Sequence, residues 1–263
     1  MLDEKQKTLP VGERLAVAPD FRIIPPTNLY KTTEKEFDDK KALEHYGTLE
    51  KDKIRAAEDK SAGTKFEMLK TAIMHKHMGE RFIVVRSARY DDNKNGVDNI
   101  LVDKTNGHTL CAFDEISNDV FNSNAVAKKA KEVLSKNFGE DIENSSGFVQ
   151  SQTGEKGVKL KYGIELNTDG KITCKEVEHL PIFILNLDYG RLDEGQMAFI
   201  NGEKKSRYET QLFEYFLTTL LAQIQYLRLD HKRYAELPQE LRERAESFEK
   251  YIQETLPKLR IPR

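Results

Sequence analysis

Residues 86–117 read RSARYDDNKNGVDNILVDKTNGHTLCAFDEIS. Two strand-like apolar runs, 97–102 and 108–113, are joined by Asn106-Gly107. That dipeptide is a strong hairpin signal, because its residues tolerate the positive φ of a tight turn. Asp91, Asp92, Asp98 and the pair Asp114-Glu115 sit around the two runs. Carboxylates at strand ends are costly unless they stay solvated or meet a positive charge. The hairpin therefore sets the start of a sheet and also raises the question of what its acids hold.

Upstream, Phe66, Leu69 and Ile73 form an apolar stripe at helical spacing. A helix is expected over 64–77, opened by Thr64 and Glu67 as a capping box and stopped by Gly79. The β-branched run 82–85 reads as a strand. Downstream, Asn122 or Ser123 caps a helix reaching 137, with Ala127, Ala130, Val133 and Leu134 as its apolar positions. A second hairpin is expected from 158–166 to 172–177, and the apolar run 181–185 reads as a buried strand. Helices over 208–229 and 240–254 close the chain, with Pro257 just beyond the second. The first carries a stripe of Leu212, Phe213, Phe216, Leu220, Ile224 and Leu227, a core face that is also a candidate homodimer surface. This mixed order argues for an α/β layered domain. Residues 1–45, with four prolines and a charged run at 35–41, read as a weakly structured arm. Residues 46–263 read as a single α/β domain, with its core over about 64–187 and a C-terminal helical hairpin over about 207–255.

The turn decides which acids meet, since directly opposed residues of an antiparallel pair share a face. A two-residue loop pairs Thr105 with His108 and sets Asp98 opposite Glu115. A three-residue loop with a glycine bulge pairs Lys104 with His108 and sets Asp98 opposite Asp114. Either register opposes two carboxylates, and a cation between them would relieve the repulsion. Oxygen donors without His or Cys favour Mg²⁺ or Mn²⁺ over zinc. Asp91 to Gly96 matches the first half of a calcium loop, but Asp98 and Val102 stand where an apolar residue and a bidentate Glu belong. That segment is read instead as a polar turn.

A helix carrying Glu67, a strand, a strand opening with Asp98, a hairpin to a strand with Asp114-Glu115, and then a helix resemble the PD-(D/E)xK, or restriction-endonuclease-like, nuclease core. Tyr90-Asp91-Asp92, Asn95-Gly96-Val97-Asp98 and Ala112-Phe113-Asp114 also resemble segments of bacterial proteins of that type. The resemblance covers about 64–187. It implies a restriction-endonuclease-like fold with a mixed sheet, and Mg²⁺- or Mn²⁺-dependent hydrolysis of phosphodiester bonds, with DNA as the expected substrate. It implies Asp98, Asp114 and Glu67 as metal-binding residues, with Glu115 beside them. The family's lysine is missing: Ile116 stands two residues after Asp114, and Ser117 two after Glu115. Some members supply it from the following helix, where Lys131 is the first candidate and Lys128 the second. Arg86, Arg89 and Lys94 would meet phosphates. The alternative is a non-catalytic nucleic-acid-binding or interaction module on the same core, without the lysine.

The rest of the chain narrows the field. With 42 basic and 44 acidic residues there is no global basic field, so nucleic acid would need a local patch. Cys111 and Cys174 lack metal or disulfide spacing, which fits a reducing cytosol and a cytoplasmic protein. The opening MLDEKQKTLP has no apolar signal core, and polar residues break up 213–227, so no membrane association is expected. His75 and His77, two apart on a helix, face different directions and read as structural. Lys159 and Lys161 share one strand face, with Tyr162 on the other, and read as a solvated surface.

Overall fold

The computed structural model describes residues 62–118, 123–140, 154–168, 170, 172–201 and 206–259. The expected arm over 1–45 lies outside them.

Helix α1 (Ala62–Met78) leads to strand β1 (Phe82–Arg86). Short helix α2 (Arg89–Asn95), β2 (Asn99–Asp103) and β3 (Thr109–Asn118) follow, then helix α3 (Ser123–Phe138). Strands β4 (Val158–Leu166) and β5 (Ile172–Leu180) form a separate hairpin, and β6 (Ile182–Asp188) returns to the main sheet. Helices α4 (Tyr189–Asn201), α5 (Arg207–Leu229), α6 (His231–Ala235) and α7 (Gln239–Leu259) complete the order. The main sheet runs β1-β2-β3-β6, antiparallel through the meander and parallel between β3 and β6. A parallel neighbour needs a crossover, and α3 with the β4-β5 hairpin supplies it. The α/β class and mixed sheet expected from the sequence are thus present.

Several boundaries differ, each for a physical reason. The helix expected from Thr64 begins at Ala62, so Thr64 and Glu67 fall inside α1 and do not open it. Asp91 to Gly96 is no turn: it is α2 and its stop. Asp91 and Asp92 lie in the first turn, where carboxylates suit the helix dipole. Gly96 ends the helix at φ 58°, donating its N–H to the Asp92 carbonyl at 2.9 Å. Strand β3 runs on to Asn118, because β6 pairs with it from Ala112 to Asn118. The acids Asp114 and Glu115 therefore lie within the strand. Helix α7 continues through Pro257 to Leu259.

The meander turn resolves the two registers. Asp103 N–H bonds His108 O at 3.0 Å and Gly107 N–H bonds Asp103 O at 2.8 Å, enclosing Lys104 to Gly107. Gly107 holds φ 77°, and a Cβ there would come within 2.0 Å of the Leu166 carbonyl. A bulge at Leu110 then shifts the ladder, so that Asn99 faces Phe113. Asp98, one residue before β2, comes opposite Asp114, the pairing expected from a three-residue loop, but the loop has neither expected length: four residues and the bulge together give that pairing.

Phe248 of α7 joins the layers. Its ring lies 6.3 Å from Phe82, 6.4 Å from Phe113 and 6.3 Å from Phe183, on β1, β3 and β6 in turn. The C-terminal helices therefore cover one sheet face. Helix α1 shares that face, with His77 stacked on Phe213 of α5 at 4.5 Å and Lys76 bonded to Glu209 at 2.7 Å. The histidine is structural, as its spacing indicates. No described helix is long and apolar enough to cross a membrane.

Truncating Phe248 to Ala should lower unfolding free energy by about 3–5 kcal/mol, since it empties a site that three strands share. Leu229→Ala, at 71% exposure, should stay within about 0.5 kcal/mol. Urea denaturation followed by circular dichroism measures both, and equal effects would remove Phe248 from the centre of the core.

Candidate active site at the end of the sheet

The site arises from a difference in strand length. β2 starts at Asn99, opposite Phe113, while β3 continues to Asn118. Beyond Phe113 one edge of β3 has lost its neighbour, and Asp98 fills the gap. Its N–H bonds Phe113 O at 2.9 Å, and its carboxylate accepts the Glu115 N–H at 2.5 Å. A side chain has replaced the next rung of the ladder.

Alternation along β3 then sends the two acids to opposite faces. Glu115 turns toward α1. There it forms an ion pair with Lys70, both side chains fully buried. Its second oxygen accepts from Asn99 Nδ2 at 3.0 Å, and Asn99 Oδ1 accepts from Thr71 at 3.0 Å. The Lys70 ammonium lies 4.6 Å from the centre of the Phe113 ring. Glu67, one turn earlier on α1, lies 3.9 Å from Arg86, which lies 3.8 Å from Asp92. Asp114 turns toward α3, where Lys129 stands 2.9 Å and Lys136 3.8 Å away. Lys136 also donates to the Asn95 carbonyl at 2.8 Å, tying α3 to α2.

These surroundings shift several protonation equilibria. Burial pushes the Asp98 carboxyl well above the usual carboxylate range, and Glu115, Asp114, Glu67 and Asp92 add repulsion. Among the described residues no base forms an ion pair with Asp98. Burial raises Glu67 to about 8 against the pull of Arg86. Burial also raises Asp114, with Lys129 and Lys136 opposing it. For Lys136 burial wins and lowers its pKa, whereas Asp114 outweighs burial at Lys129 and raises it.

The structure thus brings Glu67, Asp98, Glu115 and Arg86 to one sheet end, with Asp114 across the sheet. Lys128 and Lys131, the expected substitutes for the missing lysine, are exposed on α3, and the lysines that stand at Asp114 are Lys129 and Lys136. The reason lies in the helix face: Ala127 and Ala130 are exposed, and Val126, Lys129, Val133 and Lys136 turn inward. Arg86 is engaged with Glu67 and Asp92, Lys94 is exposed on α2, and the side chain of Arg89 lies outside the described residues. Asp91 serves the fold, accepting the N–H groups of Lys161 and Tyr162 at 2.9 Å each. Lys159 pairs with Glu176 and Glu178, while Lys161 lies 5.1 Å from the Tyr162 ring, closer than strict alternation implies. A bulge between Leu160 and Gly163 breaks the alternation there.

The residue that sequence reasoning missed is Lys70. It continues the stripe of Phe66, Leu69 and Ile73 at helical spacing, so a lysine on a core face was the available signal. Lys136 was missed with the orientation of α3, and Lys129, one of the three lysines that the sequence offers on that helix, ranks there behind Lys131 and Lys128. Ser117, where a lysine is missing, has a buried hydroxyl with no hydrogen-bond partner among the described residues. No group of three or more His, Cys, Asp or Glu among the described residues is arranged to hold a metal ion. A groove of about 740 Å³ lined by His108, Glu176, Glu240 and Arg244 lies near the turn end of β3, away from the acids.

Two measurements test this network. Lys70→Met should cost about 3–5 kcal/mol by stranding a buried Glu115, and adding Glu115→Met should recover much of the loss. A single variant as stable as wild type in urea would show that the pair is not buried. Glu67 binds more protons folded than unfolded between pH 4.5 and about 8. Its contribution to stability is therefore present in full below 4.5 and is lost as pH rises toward 8. In metal-free buffer Glu67→Gln should flatten the fall in stability across that window, and an unchanged slope would count against the shift. The chain matches no protein-family model, no curated protein and no solved structure.

Proposed function

We propose that the protein is a metal-dependent nuclease of the restriction-endonuclease-like type, hydrolysing phosphodiester bonds in DNA, with Lys70 in the role of the lysine missing from β3. The observation that carries this reading is the meeting of Asp98 and Glu115 at the sheet end, with Glu67 and Lys70 brought to them from one turn of α1. The order of helix, three-strand meander, helix and returning strand in a mixed sheet supports it.

The donor set suits magnesium. That ion commonly takes one or two carboxylates, keeps several waters and completes its shell with substrate phosphate, so a group of three acids is not required. Asp98 is a carboxyl among acids, with no paired base among the described residues, the situation a divalent cation relieves. Asp98 and Glu115 would hold the ion, with Glu67 positioned to act through water. Once bound, the ion would acidify a water nucleophile and stabilise charge on the phosphoryl oxygens. Lys70, fixed between Glu115 and the Phe113 ring, would orient Glu115 and place a positive charge beside the reacting phosphate. Asp114, held by Lys129 and Lys136, leaves this set and becomes a support.

A second reading has its own observation. Both oxygens of Glu115 are already engaged, one by Lys70 and one by Asn99. A descendant of the same core that kept this network for folding would bind nucleic acid without cutting it.

Cleavage of DNA and RNA with Mg²⁺ or Mn²⁺ separates the two. Wild type should cut DNA, and Asp98→Asn, which keeps the bond to Glu115 N–H, should lower the rate by about 100-fold or more, the scale of losing one charge-stabilising group. Folded wild type that cuts neither substrate, or an Asp98→Asn variant as active as wild type, would end the nuclease reading.

A further inference from the structure

We infer that the outer face of α5 is the surface on which a second copy of this chain docks, the two helices lying antiparallel about a twofold axis; this does not rest on the nuclease reading above. The apolar stripe of α5, from Leu212 to Leu227, is buried in the core, so the face left for a partner is the opposite one. Side chains fix that orientation. The Gln223 side chain accepts the Ile184 N–H at 2.9 Å and donates to the Ile184 carbonyl at 2.8 Å. The Tyr215 hydroxyl donates to the Asn186 carbonyl at 3.1 Å. Both acceptors lie on β6, an edge strand of the main sheet, so these bonds hold α5 against rolling.

Helices α5 and α7 both bury one face in the core, yet their outer faces differ. The exposed positions of α7 include Glu240, Glu243, Glu246, Lys250, Glu254 and Lys258, the charge expected of a solvated helix face. From Gln211 to Leu229 the exposed positions of α5 are Gln211, Thr218, Ala222, Gln225, Tyr226 and Leu229. None is charged, in a chain of which 33% is charged. Tyr226 and Leu229 are two of the four large apolar side chains exposed among the described residues. Depletion of charge together with exposed aromatic and apolar groups is the mark of the centre of an interface.

Charge and spacing select the occupant. A nucleic-acid backbone needs cations to neutralise its phosphates, and a helix lying on a membrane surface carries Lys and Arg on its polar face. The outer face of α5 offers neither. In a twofold interface one patch meets itself, so a charged face would oppose its own sign and an uncharged face does not. Thr218, Ala222, Gln225 and Leu229 recur at steps of four, three and four, the spacing of a seam between two packed helices. With the axis midway between Ala222 and Gln225, Thr218 meets the partner's Leu229 and Ala222 meets the partner's Gln225. The small Ala222 and Thr218 let the helices approach, and Leu229 gains a cover.

Size sets the strength. Helix α5 has 23 residues and is about 34 Å long. At a helix width of about 10–12 Å, the pair buries on the order of 800–1,000 Å² over both copies, at the low end for a specific interface. The dimer is therefore weak and forms only as concentration rises.

Sedimentation equilibrium of the full chain in EDTA, over a range of concentrations, tests the pairing, and circular dichroism checks that each variant folds. Wild type should pass from one chain to two as concentration rises. Ala222→Glu and Gln225→Lys, each alone, put an unpaired charge in the seam and should weaken association by about 30-fold or more. Mixed in equal amounts, the two variants should associate again, because antiparallel pairing sets the new carboxylate opposite the new ammonium. Lys250→Glu, on the outer face of α7, should leave association unchanged. Wild type that stays a single chain at every concentration, even if the face then binds a different protein, would overturn the inference. So would an assembly larger than two, single variants that associate as tightly as wild type, or a mixture that stays apart. The expected dimer in a protein that cuts no DNA would sustain the inference while ending the nuclease reading.

Discussion

Lys70 and Glu115 are both shut off from solvent, and neither ion can be taken out of water alone without a penalty of several kcal/mol. Each makes burial of the other tolerable, so α1 and β3 must close together. The pair does more than hold two elements. Asn99 and then Thr71 extend it from Glu115, and the Phe113 ring forms the floor beneath the ammonium. Glu67 lies one turn before Lys70 on the same helix, so the pair also places Glu67 at the end of the sheet. Losing it would displace Glu67 along with the helix that carries it, and with Glu67 its contact to Arg86 of β1.

The pleat of β3 then divides the acids. Glu115 faces α1 and Asp114 faces α3, and each face supplies its own lysines. Asp98 belongs to neither layer. It stands at the notch where β2 has ended, bonded to the Glu115 N–H, with acids on both sides. Two opposing layers of compensated charge thus frame one carboxyl that has no paired base among the described residues. This arrangement comes from strand lengths as much as from side chains. Had β2 begun two residues earlier, backbone would have closed the edge and left no opening.

Much of this was legible in the sequence. Asn106-Gly107 announced the meander, and the pairing of Asp98 with Asp114 is one of the two expected, though it is reached through a longer loop and the bulge at Leu110. The split of Asp114 from Glu115 was not, because it depends on how far β6 extends the strand, and pairing partners are non-local. Lys70 was hidden by the habit of reading a helical stripe through its apolar members. A buried lysine gives the same spacing and is noticed only once its partner is known. The sequence places Ala127 and Ala130 on the buried stripe of α3, whereas the structure exposes both. Alanine buries too little surface to orient a helix, whereas Val126 and Val133 on one side and the attraction of Asp114 for two lysines fix the real face. Helix α4 carries Gly190 and Gly195, which weaken its local signal, and it packs against α1, α5 and β6.

The fold needs something from Asp98 that a carboxylate is not required to supply. Its structural duty is to accept one N–H, from Glu115. An asparagine could accept that bond and would carry no charge into a ring formed by Glu67, Asp92, Asp114 and Glu115. The carboxyl instead adds repulsion and a desolvation cost, which appear together as its raised pKa. Lys129 and Lys136 do not remove this tension, since Asp114 stands closer to both, and Lys70 is committed to Glu115. A cation or a proton at the notch relieves it, and Asp98 and Glu115 set oxygen donors there. The stability given up at Asp98 thus has a chemical use under the metal-dependent reading and none under a purely structural one.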